Sequence, residues 1–224
     1  MISAVRVVVP AHDEERLIEG CLISLQAAAD RVPVPVDVVV VLDACSDGTA
    51  SVCAGHGART VAVPWRNVGA ARAFGFVGAP DAPDLWLTTT DADTRVAPDW
   101  LSAQVRLADA GADAVLGVID VDDWSAQPRG TDAAFHRLYQ GTARGATSPH
   151  RHVHGASFGV RASSYRRAGG FAPLAVGEDH DLARRLEADP DVAVIRSTAV
   201  RATTSARRDP RATGGFGDLL ATLT

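Results

Sequence analysis

Two aspartates one residue apart, Asp91 and Asp93, close the run Leu85-Trp86-Leu87-Thr88-Thr89-Thr90. The run is apolar and β-prone, so it delivers two carboxylates spaced i and i+2 at a strand end, where both can reach one hard cation held by a diphosphate. A plain solvated turn uses the same pattern. Asp43 likewise ends a second apolar run, Val36 to Leu42. Glu178 and Asp179 follow Gly177, where adjacent acids suit the first turn of a helix whether or not they do chemistry. His150, His152 and His154 alternate, so an extended segment would show all three on one side, as part of a metal shell, a pocket wall or an exposed loop. Arg207, Arg208 and Arg211 gather near the C-terminus, either as a solvated basic face or as cations able to close over a diphosphate.

Composition limits what these groups can serve. A chain of 224 residues, 46% hydrophobic and 22% charged, buries a sizeable core and fits one α/β domain over residues 1–224. The formal net charge of -5 removes any global electrostatic case for nucleic acid, so an anionic ligand must be met by local arginines. Cys21, Cys45 and Cys53 are odd in number and lack Cys-x-x-Cys spacing, which predicts reduced thiols rather than a disulfide framework or structural zinc. No basic leader opens the chain and no run of ~18 apolar residues interrupts it, so a soluble, cytoplasmic protein without a transmembrane segment is expected.

The positioning elements alternate. Ala4 to Val9 reads as a strand stopped by Pro10, with Asp13-Glu14-Glu15 in the first turn of a helix through Leu17, Leu22, Leu25 and Ala28. Val36 to Leu42 reads as a central strand, followed by a short helix from Ser46-Asp47-Gly48-Thr49 to about Ala54 and a third strand from Arg59 to Val63. A helix rich in small residues from Asn67 to Ala79 leads to a fourth strand, Leu85 to Thr89. Pro98 starts a helix through Leu101, Val105, Leu107 and Ala108, and Ala114 to Val121 is a further strand. This β-α rhythm predicts a mostly parallel sheet with helices on both faces, and ligands bind such sheets beyond the carboxyl ends of the strands. Residues 1–121 therefore read as a nucleotide-binding half.

After Asp122 the rhythm breaks, and residues 122–224 read as an acceptor-side half with a tail. A loop from Trp124 to Gly130 and a helix from Thr131 to Thr142 precede the polar stretch Gly145 to His154. Next come a strand at Ala156 to Val160, a helical turn at Ser163 to Ala168 and a helix from Gly177-Glu178 to about Ala188. Val192 to Ile195 closes the sheet, and a helix near Phe216 to Leu223 ends the chain.

Five segments together carry a resemblance: Val7 through Glu15, Leu42-Asp43-Ala44-Cys45-Ser46-Asp47-Gly48-Thr49, Gly69-Ala70-Ala71-Arg72, Asp91-Ala92-Asp93 and Gly177-Glu178-Asp179-His180-Asp181-Leu182. In this order and spacing they resemble the motifs of family 2 glycosyltransferases, which implies the GT-A fold, a Rossmann-like single domain. The resemblance implies that Pro10, Ala11, Glu14 and Asp43 cradle the base and ribose of a nucleotide, that Arg72 meets phosphate oxygens, and that Asp93, with Asp91 nearer the ribose or sugar, binds manganese or magnesium. It assigns proton abstraction from the acceptor to Asp179, beside Glu178. Ala73 stands where the family usually has Asn, which removes one polar contact. His154 would complete the metal shell, and Arg207 and Arg208 would meet the diphosphate.

The expected activity is metal-dependent transfer of a sugar from UDP- or GDP-sugar to a small or carrier-linked hydroxyl acceptor, inverting and non-processive, and the reading allows a homodimer. Two alternatives stay open: a nucleotidyltransferase, which normally wants a basic Gly-rich loop after the first strand where this chain has Pro10-Ala11-His12-Asp13-Glu14, and a non-catalytic nucleotide-sugar-binding homologue.

Overall fold

The computed structural model describes residues 1–80, 82–140, 150–208 and 215–223. Valine-rich β1 (Ala4–Ala11) and β2 (Val36–Asp43) pair in parallel, with Val7 opposite Val38, and β3 (Arg59–Val63) continues the sheet beside β2. On the other flank of β1 lies β4 (Leu85–Thr89), again parallel. β5 (Arg95–Val96), β6 (Ala114–Asp120), β7 (Phe158–Arg161) and β8 (Val194–Thr203) complete one eight-stranded sheet, in the order β3-β2-β1-β4-β7-β6-β8-β5.

The unbroken apolar runs follow from burial on both faces, because successive side chains of a strand point to opposite sides. Val7, Val9, Val40, Leu42, Trp86 and Val115 enter one layer, which is covered by α1 (Ile18–Ala29), α2 (Thr49–Gly55) and α4 (Trp100–Asp109). Their neighbours Val8, Val39, Val41, Leu87 and Leu116 enter the other, under α3 (Val68–Gly75), α6 (Ala162–Arg167) and α7 (Glu178–Glu187). A small third cluster joins Val121 and Ala206 to Phe135 of α5 (Thr131–Gln140) and Leu220 of α8 (Phe216–Ala221). No helix is long and apolar enough to cross a membrane among the described residues. All three cysteines are free thiols, Cys21 and Cys53 buried and Cys45 partly so.

Two strands depart from the pattern expected of the sequence. β7 runs antiparallel between β4 and β6, pairing Thr89 with Phe158 and Leu116 with Phe158. An antiparallel strand starts where its parallel neighbours end, so the 3₁₀ turn Gly155–Ser157 and the residues before it sit at the carboxyl edge beside Asp91. β8 extends to Thr203, well past Ile195, because Val200 and Ala202 point inward while Ala199 and Arg201 point out, the alternation of a half-buried strand. The extension returns Thr204 to Arg207 to the same edge.

Two details near the first strand also differ. β1 continues through Pro10, which lies beyond the last β1–β4 pair, Val8 with Thr89, so the missing N–H costs no bond on that side. α1 starts only at Ile18, leaving Asp13, Glu14 and Glu15 in the preceding turn. Asp13 adopts a left-handed φ of 52° there, and its carboxylate accepts the Ser46 N–H at 2.7 Å, a bond that holds its pKa below the ordinary aspartate value.

Small residues in α3 let it approach the sheet. A Cβ on Gly75 would fall 2.7 Å from Val8 Cγ2, and Val8 is fully buried. Gly75→Ala should therefore lower stability by about 1–3 kcal/mol through overpacking, against a gain of only about 1 kcal/mol in helix propensity. Urea denaturation checks this, with a lower midpoint expected and a raised one showing that propensity wins.

Candidate active site

The carboxyl ends of β1, β2 and β4, the start of α7, the turn before β7 and the segments around β8 and α8 enclose one cleft of about 650 Å³. It is lined by nearly every site residue expected of the sequence: Pro10, Ala11, Glu14, Asp43, Arg72, Asp91, Asp93, His154, Glu178, Asp179 and Arg207. Arg208 is exposed and lies outside that lining, and Arg211 falls outside the described residues.

Arg72 leaves α3 as a buried guanidinium and forms ion pairs with Asp91 through Nη2 and with Glu178 through Nη1, while Nε donates to Thr89 Oγ1 at 3.3 Å. Phe171 packs against its plane, 5.8 Å from Cζ to the ring centroid. Its planar fork is thus taken by two carboxylates rather than turned toward the cleft for phosphate. Gly155 makes this possible, because a side chain there would occupy the space of the guanidinium.

A second guanidinium holds the other acids. Arg207 donates from Nη1 and Nη2 to the two oxygens of Glu14 at 2.7 and 2.6 Å, and Nη2 lies 3.1 Å from Asp93 Oδ2. Thr94 and Thr204 also reach Asp93 Oδ1 at 3.4 Å. Burial pushes the Asp93 carboxyl up to about 6, although Arg207 draws it down. A desolvated carboxylate of this kind, beside Asp91 with its side chain 36% exposed, calls for positive charge. Their oxygen donors fit a hard divalent cation of the magnesium or manganese type.

Asp43 stands at the end of β2, where Oδ1 accepts the N–H groups of Trp65 and Arg66 at 2.8 and 2.7 Å and Oδ2 accepts that of Asn67 at 2.7 Å. Most of its accepting capacity therefore shapes the turn after β3, and one lone-pair direction remains for a ligand. The same bonds hold Arg66 at a left-handed φ of 49°, a conformation unusual for a side chain of that size. Arg66 is exposed at the cleft wall, and its guanidinium makes no ion pair among the described residues.

On the opposite wall, Asp179 Oδ2 accepts the Gly155 N–H at 2.7 Å and Oδ1 accepts the His180 N–H at 2.7 Å. Of the alternating histidines only His154 reaches the cleft. Its Nε2 meets Tyr139 Oη, and burial pulls its pKa down to about 3, so it is neutral at physiological pH. His152 stacks on Tyr139 with ring centroids 3.8 Å apart, and His150 is buried with Nε2 3.1 Å from the Leu116 carbonyl oxygen.

Asp91, Asp93 and His154 are each engaged separately, by Arg72, Arg207 and Tyr139. The trio of metal-ligating groups within 4.8 Å of one another among the described residues is Asp13, Cys45 and Asp47. Its carboxylates bond the loop itself, Asp13 to Ser46 and Asp47 to Thr49. Arg66 and Gly155 were missed by the sequence reading. Both lie in irregular segments whose only local signal is polarity or a lone glycine.

The family model for "Glycosyl transferase family 2" matches residues 6–169. The structure resembles that of Staphylococcus aureus TarS 1-349 in complex with UDP-GlcNAc, with a TM-score of 0.67 and 15% identity over 98% of this chain and 66% of that one. It also resembles the mannosyltransferase PcManGT of Pyrobaculum calidifontis in complex with GDP-Man and Mn2+, with a TM-score of 0.65 and 22% identity over 94% of this chain and 59% of that one. A third likeness is to glucosyl-3-phosphoglycerate synthase of Mycobacterium tuberculosis in complex with Mn2+, UDP and phosphoglyceric acid, with a TM-score of 0.60, 19% identity and coverage of 99% and 75%. In another TarS 1-349 structure the match extends over 60% of the longer chain. No curated protein matches.

Removing the Asp43 carboxylate should be felt first as instability. Asp43→Ala leaves three backbone donors to find other partners, at about 1–3 kcal/mol for each that stays buried and unsatisfied. A thermal or chemical melt should show a loss of at least about 1 kcal/mol; an unchanged melt would mean that water replaces all three bonds.

Proposed function

The chain belongs to glycosyl transferase family 2, and from that premise we propose that it moves a sugar from a UDP- or GDP-sugar to a hydroxyl acceptor, inverting the anomeric centre and releasing product after each transfer. The observation that carries this reading is the meeting, in the lining of one cleft, of Asp91 and Asp93 just after β4 and Asp179 at the start of α7.

In this reading the nucleotide lies over Pro10, Ala11 and the turn held by Asp43, and Arg66 supplies the local positive charge that a diphosphate requires. Asp91 and Asp93 would hold a divalent metal, which supplies Lewis-acid stabilisation of the departing diphosphate. Arg207 neutralises Glu14 and Asp93 from the β8 side. Arg72 is a positioning residue, since it ties the acid at the donor end, Asp91, to the acid beside the base, Glu178.

Asp179 is the base. Two backbone N–H groups orient its oxygens, and the lone pairs left over accept the proton of the acceptor hydroxyl as that oxygen attacks. Glu178 is committed to Arg72 and serves to orient rather than to abstract. Neutral His154, held by Tyr139, adds a polar group beside the acceptor without adding charge.

Two substitutions separate these roles. Asp93→Asn should abolish manganese-dependent binding of UDP or GDP in calorimetric titration, and unchanged affinity would remove Asp93 as a ligand. Asp179→Asn should leave the donor dissociation constant within a few fold while turnover, followed as nucleoside diphosphate release, drops by roughly 10²–10⁴, the usual cost of losing a general base. Near-normal turnover would return the role to Glu178. Release of pyrophosphate by the wild type, rather than nucleoside diphosphate, would replace the transferase reading with a nucleotidyltransferase.

A further inference from the structure

The walls of the cleft also bear on the acceptor. Six carboxylates line it: Glu14, Asp43, Asp91, Asp93, Glu178 and Asp179. Only three guanidiniums face them, those of Arg66, Arg72 and Arg207, which leaves a formal surplus of three negative charges among the described lining residues. A nucleoside diphosphate sugar and a divalent cation bring two opposite charges each and cancel, so the surplus persists once the donor is in place.

Two of the three cations are also already engaged by acids, and the third stands beside Asp43. Arg72 is buried between Asp91 and Glu178, Arg207 is bound to Glu14 and Asp93, and Arg66 stands beside Asp43 at the donor end. The same lining presents Val176, three residues before Asp179, and Phe216 and Leu219 of α8, with Val176 and Leu219 45% and 37% exposed. Phe216 packs edge-on to His154 and Phe135, at ring-centroid distances of 6.2 and 5.9 Å.

We infer that the acceptor is a non-anionic alcohol carrying an apolar face, which lies against Val176, Phe216 and Leu219 while its hydroxyl meets Asp179. The inference rests on the glycosyltransferase reading and narrows it: an acceptor whose attacking or neighbouring group is a phosphate or carboxylate would be repelled by the surplus charge and, among the described residues, would meet no arginine or lysine on that wall.

The test uses three probes of one shape, phenyl glucoside, its 4-aminomethyl derivative and its 4-carboxy derivative, titrated calorimetrically into the protein saturated with UDP or GDP and manganese. The two non-anionic probes should bind at least tenfold more tightly than the carboxylate, and the gap should narrow as salt is raised. Equal or tighter binding of the carboxylate, or of 3-phosphoglycerate used as a further probe, would overturn the inference. Val176→Arg places a cation in the apolar wall and should shift preference toward the carboxylate probe; an unchanged order would mean that the acceptor does not touch that wall. The manganese-dependent nucleotide binding that precedes each titration tests the underlying reading by itself, so its failure and a reversed probe order are distinct results.

Discussion

A single buried cation, the guanidinium of Arg72, joins parts of the cleft that come from four separate segments. It reaches Asp91 after β4, Glu178 at the head of α7 and Thr89 within β4, and it fills the volume left by the absent side chain of Gly155. Losing one partner of a buried ion pair leaves an uncompensated charge, a defect worth about 3–5 kcal/mol, so these segments are constrained together. Asp179 inherits the constraint twice, through its neighbour Glu178 and through the Gly155 N–H that orients its carboxylate. The geometry of the proposed base is therefore set by contacts that do not touch substrate.

The second guanidinium solves a different problem. Glu14 and Asp93 are brought together by the fold with little water around them, and Arg207 supplies the charge that makes their proximity tolerable. A divalent cation held at Asp93, as proposed, would perform the same neutralisation and would compete with Arg207 for, or share, one set of oxygens. Even with Arg207 present the lining of the cleft stays rich in carboxylate.

Much of the donor side was legible in the sequence because the relevant information is local. Unbroken apolar runs predict strands buried on two faces, and Asp43, Asp91 and Asp93 stand at or just beyond their ends by position alone. The head of α7 was equally readable, since Glu178 and Asp179 follow Gly177, which adopts a left-handed φ of 76°. Where local signals conflict, reading was poorer. The acids after Pro10 looked like a first helical turn, yet bonds from Asp13 to Ser46 and from Glu14 to Arg207 hold them before the helix. The long β8 reads in sequence as a short strand and a tail, because arginines and threonines alternate with its small apolar residues.

What the sequence by itself determined was the element alternation, the acids at strand ends and the family resemblance carried by their order. Only the tertiary structure decided which acid each arginine meets: Arg207 lies 193 residues from Glu14, and no periodicity links positions that far apart. Strand direction was decided at the same level, because β7 takes its antiparallel place through hydrogen bonds to both β4 and β6. Side-chain period is the same for parallel and antiparallel strands, so the chain announces that a segment is extended, while pairing with distant neighbours fixes where it runs and which residues it delivers to the cleft.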